Sequence, residues 1–359
     1  MAKRFNLFSI MLILAALSAL SACSVLDGIN ATQETGGDAN QEMPDLLFTI
    51  QTATISIQVA TPSSTVPPIV TATSSSGAAT STAAADTSND NLVYIAESSG
   101  NPDVFSFNTT SGSTPNQLTN NPAKEAEPAF SPDGKMIAFG SDRTGNMEIY
   151  VMDSNGQNKQ QLTNNTALDS GPAWSPDGNK IAFYSDRTGN LEVFVMNKDG
   201  SNPINLTANQ ADDLYPSWSP DGTKIAFIST RDGNWEIYSM DASGNLQLPL
   251  TDHVSDDWLP AWSPDGNLIA FWSKRDGEWE IYTIRTDGSG LTKLTVSAIP
   301  GFAVSRPAWS PDGAQIVFTS TRDGRRQLYM MNANGSSLHR ILNSSSDDYD
   351  PDWKPTGSN

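Results

Sequence analysis

The sequence predicts an all-β protein: a six-bladed β-propeller of four-stranded antiparallel blades, its ring closed by the C-terminal strand and preceded by a disordered stalk. Three observations carry this. A segment rich in aromatic and β-branched residues recurs six times, each copy holds four short strand patterns, and the first and last copies are complementary parts of one unit.

The repeat is read first. Pro172-Ala-Trp-Ser-Pro-Asp-Gly178 returns as Pro216–Gly222, Pro260–Gly266 and Pro307–Gly313, with weaker copies at Pro128–Gly134 and Pro351–Gly357. The second prolines fall at 132, 176, 220, 264, 311 and 355, a period of 44 with one step of 47. In each copy Pro-Ala-Trp-Ser is the first strand, and Ser-Pro-Asp-Gly turns it back, with proline and glycine where a type I turn prefers them. Lys180–Phe183 exemplifies the second strand and Glu192–Met196 the third. A Ser-Asp-Arg-Thr-Gly-Asn loop joins those two. Asp199-Gly200 and its counterparts turn the third strand into a fourth that ends in Leu206-Thr207. The array opens on a second strand, Leu92–Ile95, and a third, Val104–Phe107, and closes on a lone first strand, Asp350–Lys354. Pairing the two ends completes a sixth blade and removes two exposed strand edges.

These repeats resemble the TolB-type, WD-like propeller repeat, with its Pro-x-Trp-Ser-Pro-Asp-Gly, Ile-Ala-Phe, Arg-x-Gly and Ile-Tyr-x-Met elements, over residues 92–357. The resemblance implies the fold and export from the cytoplasm. Proteins named for this repeat carry an α/β domain before the propeller, where this chain has a Ser/Thr-rich stretch. The resemblance therefore says little about a role in the Tol–Pal envelope system.

The N-terminus reads as an export signal. Lys3 and Arg4 precede an uncharged stretch from Phe5 to Leu26 with its apolar heart at Ile10–Leu17. Leu20-Ser-Ala-Cys23 resembles a bacterial lipobox and contains the only cysteine of the chain, so Cys23 is the expected lipidation site. The alternative is an uncleaved membrane helix, but a span needs about 20 apolar residues and this run is shorter. The expected organisation is a signal peptide over 1–22, a tether over 23–90 and the propeller over 91–359. The tether has no Lys or Arg after Cys23, and 17 of residues 51–90 are Ser or Thr. It cannot bury enough apolar surface to offset its ordering entropy. Within it Ile55, Ile57 and Val59 alternate with polar residues, as an accessory strand would. Exported, lipid-anchored protein on the outer face of a bacterial membrane is the expected localisation.

Composition excludes several function classes. Forty Asp and Glu against 21 Lys and Arg give a net charge of −19, which argues against a nucleic-acid partner. One cysteine rules out an intramolecular disulfide framework, and two histidines argue against a histidine-rich metal site. There is no Gly-x-Ser-x-Gly nucleophile elbow. No cofactor and a monomer are expected.

Two features mark a candidate binding face. Three residues before the first-strand proline stands an acid in five of six copies: Glu125, Asp169, Asp213, Asp257 and Asp348, with Val304 as the exception. With the first strand innermost, these carboxylates ring one mouth of the channel, where they hold a hard cation or attract a basic peptide. Arg143, Arg187, Arg231, Arg275 and Arg322 recur with the same period at the same end. The competing reading is that they neutralise the acids by pairing between blades. The second feature is the longer loop Val296–Val304, which replaces the acid by apolar residues. Ile299 and Phe302 there, with Tyr215, Trp258 and Tyr349 in neighbouring loops, form a candidate partner-binding patch or fold back into the channel. The expected function is a non-enzymatic, envelope-anchored binding protein presenting this face to a protein, peptide or glycan. The alternative is a propeller lyase or hydrolase that uses channel carboxylates.

Overall fold

Each Ser-Pro-Asp-Gly segment folds as the turn its residues prefer. The glycine N–H bonds back to the serine carbonyl at 2.8–2.9 Å, and the glycine takes a φ near +70°. The Asp carboxylate accepts the serine hydroxyl at 2.6–2.7 Å and the backbone N–H two residues on, which holds it below the usual carboxylate range. Asp221 is brought down to about 2, chiefly by Ser219. Five near-identical turns thus reverse five first strands into five second strands.

The computed structural model describes residues 90–356 except 99, 113 and 297–303. Among these residues there is no helix, and 24 strands form six four-stranded sheets. Three strands open the array: β1 (Leu92–Ala96), β2 (Asp103–Phe107) and β3 (Asn116–Gln117). The first strands of the blades are β4 (Glu125–Phe130), β8 (Asp169–Trp174), β12 (Asp213–Trp218), β16 (Asp257–Trp262), β20 (Val304–Trp309) and β24 (Asp348–Trp353). The closing strand pairs antiparallel with β1 in the register Leu92↔Trp353 and Ala96↔Asp348, so the sheet order is β24-β1-β2-β3. The six-bladed closure is confirmed. Fourth strands are only two residues long; in the third blade Ile204–Asn205 forms the strand, and Leu206-Thr207 follows it.

Second strands read as short apolar runs because both their faces are covered. Ile181, Ala182 and Phe183 are buried, as are their counterparts, and each stacks on the next blade. One cluster joins Ala138, Ile149 and Val151 of one blade to Trp174, Phe183 and Phe194 of the next. Across the closure, Leu92, Tyr94 and Phe105 pack with Val317, Leu328 and Met330, and Trp353 seals them. The repeated Phe130 and tryptophans are thus inter-blade packing.

First strands carry proline in mid-strand, which removes a ladder donor and favours an edge or a bulge. All six are irregular there, and the residue before the proline has a φ between 46° and 64°. That residue is Glu127, Gly171, Tyr215, Leu259, Arg306 or Asp350. Left-handed backbone is uncommon for residues other than glycine, and here it is a property of the bulge shared by every blade.

Candidate functional site: the channel and its charged lining

The bulges bring four of these six residues, Gly171, Tyr215, Leu259 and Arg306, to the centre. A cavity of about 330 Å³ is bounded by Tyr215, Leu259, Arg306 and Asp352, by the strand prolines, by Phe130 and four of the repeated tryptophans, and by the turn prolines. It runs from mid-strand toward the Ser-Pro-Asp-Gly end.

The repeated acids are elsewhere. Glu125, Asp169, Asp213, Asp257 and Asp348 are buried at the opposite end of the first strands, and none of them bounds the cavity. Four are neutralised by arginine: Arg143–Glu125 at 3.0 Å, Arg187–Asp169 at 2.8 Å, Arg231–Asp213 at 3.1 Å and Arg275–Asp257 at 2.6 Å. The partners belong to the same blade, which corrects the expectation of pairing between blades. The reason is register. Asp213 lies opposite Ser229, and Arg231, two residues further, folds back over both, donating Nε to the Ser229 hydroxyl at 2.7 Å. Each of these arginines also lies over the rings of its own second and third strands, such as Phe227 and Tyr238 for Arg231. A surface ring of carboxylates is therefore not what these residues form. The fifth acid, Asp348, forms no ion pair with an arginine among the described residues; Ser346 donates to Oδ1 at 3.1 Å, and burial, opposed by Ser344, Ser346 and the charge of Arg340, pushes its carboxyl up to about 6.

Of the expected aromatic residues, Tyr215 and Trp258 come together, with ring centroids 6.4 Å apart. Trp258 also packs on Trp235 at 4.9 Å and on Trp272 at 6.1 Å. Tyr349 is held apart from them: Arg326 lies over its ring at 3.8 Å, and its hydroxyl donates to Glu97 at 3.1 Å. Ile299, Phe302 and Cys23 lie outside the described residues, as do the expected signal peptide and tether.

Sequence reasoning missed Glu127, Arg306, Asp350, Asp352 and Tyr184. Glu127 is buried and accepts from Ser170 at 2.6 Å and from the Tyr184 hydroxyl at 3.1 Å. Tyr184 reaches it because position 171 is glycine: a Cβ there would stand 2.4 Å from the Tyr184 ring. Arg306 lies 3.9 Å from Glu127 Oε1 and 4.0 Å from Asp350 Oδ2. Asp352 occupies a position that is Ala in four blades and Ser in one, and its Oδ2 accepts the Phe130 N–H at 2.8 Å. Burial raises the carboxyls of Glu127 and Asp352, the latter to about 6, with Arg306 opposing the shift in both. The available signal was variability: the column before the strand proline reads Glu, Gly, Tyr, Leu, Arg, Asp, while the proline beside it is the same in every copy.

The fold and this channel define a closed six-bladed propeller whose centre departs from its own symmetry. The TolB beta propeller domain family model matches residues 71–169, 155–256 and 208–301, and the chain belongs to that family. No curated protein matches it. Among solved structures, TolB from Acinetobacter baumannii superposes with a TM-score of 0.66 at 22% identity, over 74% of this chain and 67% of that one. A putative TolB from Agrobacterium tumefaciens gives 0.62 at 22% identity, over 75% of this chain and all (100%) of that one. Kuenenia stuttgartiensis hydrazine synthase gives 0.63 at 14% identity, over 75% of this chain and 47% of that one. These likenesses extend to the fold.

Proposed function

We propose that the protein is a non-enzymatic binding module, exported and lipid-anchored through Cys23, whose propeller channel recognises a protein or peptide partner in the cell envelope. The observation that carries this is the asymmetric channel lining. Six copies of one unit account for the scaffold, and residues that differ between copies are free to encode a target. Membership of the TolB beta propeller domain family and the lipobox-like Leu20–Cys23 support an envelope location. The domain limits 1–22, 23–90 and 91–359, the monomeric state and the absence of a nucleic-acid partner belong to the same proposal.

The test is capture of partners from envelope extract by the full chain. A Tyr215→Leu/Arg306→Leu double variant places at two bulges the residue that Leu259 already supplies at a third. Capture should fall at least about tenfold, the loss of a central anchor. The exposed-turn variant Asp199→Asn should keep it. Equal capture by all three proteins overturns the channel reading, and Cys23→Ala that fractionates with membranes as before overturns the anchor.

One observation favours the alternative of a propeller lyase or hydrolase. Glu127 and Asp352 are buried carboxyls raised toward neutrality, a common property of catalytic acids. Against it, Arg306 stands between Glu127 and Asp350 and opposes that rise. Turnover of an oligosaccharide or peptide that is abolished by Asp352→Asn would decide for the enzyme.

A further inference from the structure

The channel charges do not balance. Asp352 of β24 and Arg306 of β20 bound the cavity, while Glu127 of β4 and Asp350 of β24 do not bound it but lie within 4.0 Å of the Arg306 guanidinium, which is thereby committed to them and not to Asp352. At 3.9 and 4.0 Å, Arg306 shares one charge between Glu127 and Asp350 without a close hydrogen bond to either. Ser170 and Tyr184 satisfy Glu127, and the Phe130 N–H reaches one oxygen of Asp352. Tyr215 completes the polar wall and is held neutral by burial. Lys354, whose ammonium lies 6.0 Å from the Phe130 ring, is not among the residues that bound the cavity. The rest of the wall is apolar: Trp174, Trp218, Trp262, Trp309 and the prolines.

We propose that the channel cavity binds an alkylammonium group, the ammonium at Asp352 and the alkyl chain along the tryptophan and proline wall. This rests on the reading of the channel as the recognition site and names what it recognises. Buried carboxylates without full compensation are costly, and a cation entering from the cavity removes that cost. Aromatic faces add attraction for an ammonium and cover its methylenes. A metal ion fits less well: among the described residues no three metal-ligating side chains converge, and Arg306 occupies the space between Glu127 and Asp350. The raised carboxyl of Asp352 agrees with this, since a bound cation draws it back toward ionisation and couples binding to proton release.

The test titrates the full chain with n-butylammonium by calorimetry, with n-butanol as the uncharged control. Saturable binding at about pH 8 is expected, weakened about tenfold or more at about pH 5, where Asp352 takes up its proton. Asp352→Asn, which keeps an acceptor for Phe130, should also weaken it about tenfold. Thermal melts run alongside establish that each variant is folded, and Asp352→Ala, the residue found at this position in four other blades, is the fallback. Two sources share this chemistry: tighter binding of cadaverine than of Nα-acetyl-lysine amide assigns a free amine, and the reverse order assigns a lysine side chain of a partner. No saturable binding of butylammonium, equal affinity for butanol, or unchanged affinity in a folded Asp352 variant overturns the inference. Partner capture that still depends on Tyr215 and Arg306 would then leave the channel reading standing with a different recognised group.

Discussion

The blades made from continuous sequence and the seam where the ring closes solve the same packing problem with different chemistry. In the four blades that begin with β4, β8, β12 and β16, a buried acid meets an arginine 18 residues later, and an apolar residue (Met147, Leu191, Trp235 or Trp279) immediately precedes the third strand. At the seam, and in the contiguous blade beside it that begins with β20, this set is divided. Arg322 faces Val304, which replaces the acid, and no ion pair forms to Arg322 among the described residues. Asp348, next door, has the acid without the arginine. Where the other blades place Met, Leu or Trp, the seam has Arg326, which pairs with Glu97 at 2.7 Å and Asp347 at 2.9 Å and stacks on Tyr349. Arg326 and Glu97 are 229 positions apart. A blade read from contiguous chain closes by local turns. The seam must bring distant segments together and does so with directional charge pairs laid over an apolar cluster.

If the seam is held by β24 as the other blades are held by their own first strands, removing it costs most. Deleting residues 348–359 withdraws Trp353 from its cluster, the acceptor Asp352 from Phe130, and the whole register with β1. The expected loss is comparable to the entire stability of a domain, ~5–15 kcal/mol, read as aggregation or loss of the cooperative melt. A truncated chain that melts like the full one would break the comparison at its root.

The next test asks whether the arginines of the two regions differ in kind. Arg231→Ala leaves Asp213 fully buried with only Asn209 donating to it at 2.5 Å, and should destabilise by about 3–5 kcal/mol in chemical denaturation. Arg322→Ala removes a side chain that bonds Ser320 and lies over Phe318 and Tyr329, with no carboxylate left behind, and should cost about 1 kcal/mol. Equal losses would mean that the arginines act mainly by stacking.

What could be read beforehand follows the same division between repeated and unique positions. Turn prolines, turn glycines and Ile-Ala-Phe runs recur in register, so blade number, strand order and closure were legible. Antiparallel alternation also placed the arginines at the acids' end. That Arg231 returns to Asp213 within its own blade was not legible, because it depends on which side of Ser229 a long side chain folds. The repeated acids drew attention as a functional ring, yet repetition marked them as scaffold. Glu127, Arg306 and Asp350 stood in a column without a pattern, and nothing in their identity announces a left-handed bulge. Tyr184 needed the space vacated at Gly171 on the paired strand of its own blade, a glycine that no other copy of the repeat has in that column.

The smallest effect sharpens the comparison most, because one substitution should carry opposite signs in the two regions. Asp213→Asn strands Arg231 and is destabilising. Asp348→Asn removes a buried charge that forms no ion pair with an arginine among the described residues and keeps the acceptor for Ser346. The Asp348 carboxyl is raised to about 6 by burial, so it binds its proton more tightly in the folded state than in the unfolded chain, where the value is about 3.9. Stability should therefore fall as pH climbs from about 4 to about 6, and be flat above, where the group is ionised in both states. Allowing for partial solvent screening, Asp348→Asn should stabilise the protein by about 1–2 kcal/mol at neutral pH and by almost nothing at about pH 4. Asp352, also raised to about 6, contributes a slope of the same sign that persists in this variant. Urea denaturation of wild type and Asp348→Asn across that range measures the difference directly. A variant that is destabilised at neutral pH, as Asp213→Asn should be, would show that Asp348 is compensated in the folded protein as its counterparts are, and that the seam differs from the other blades only in its outer ion pairs.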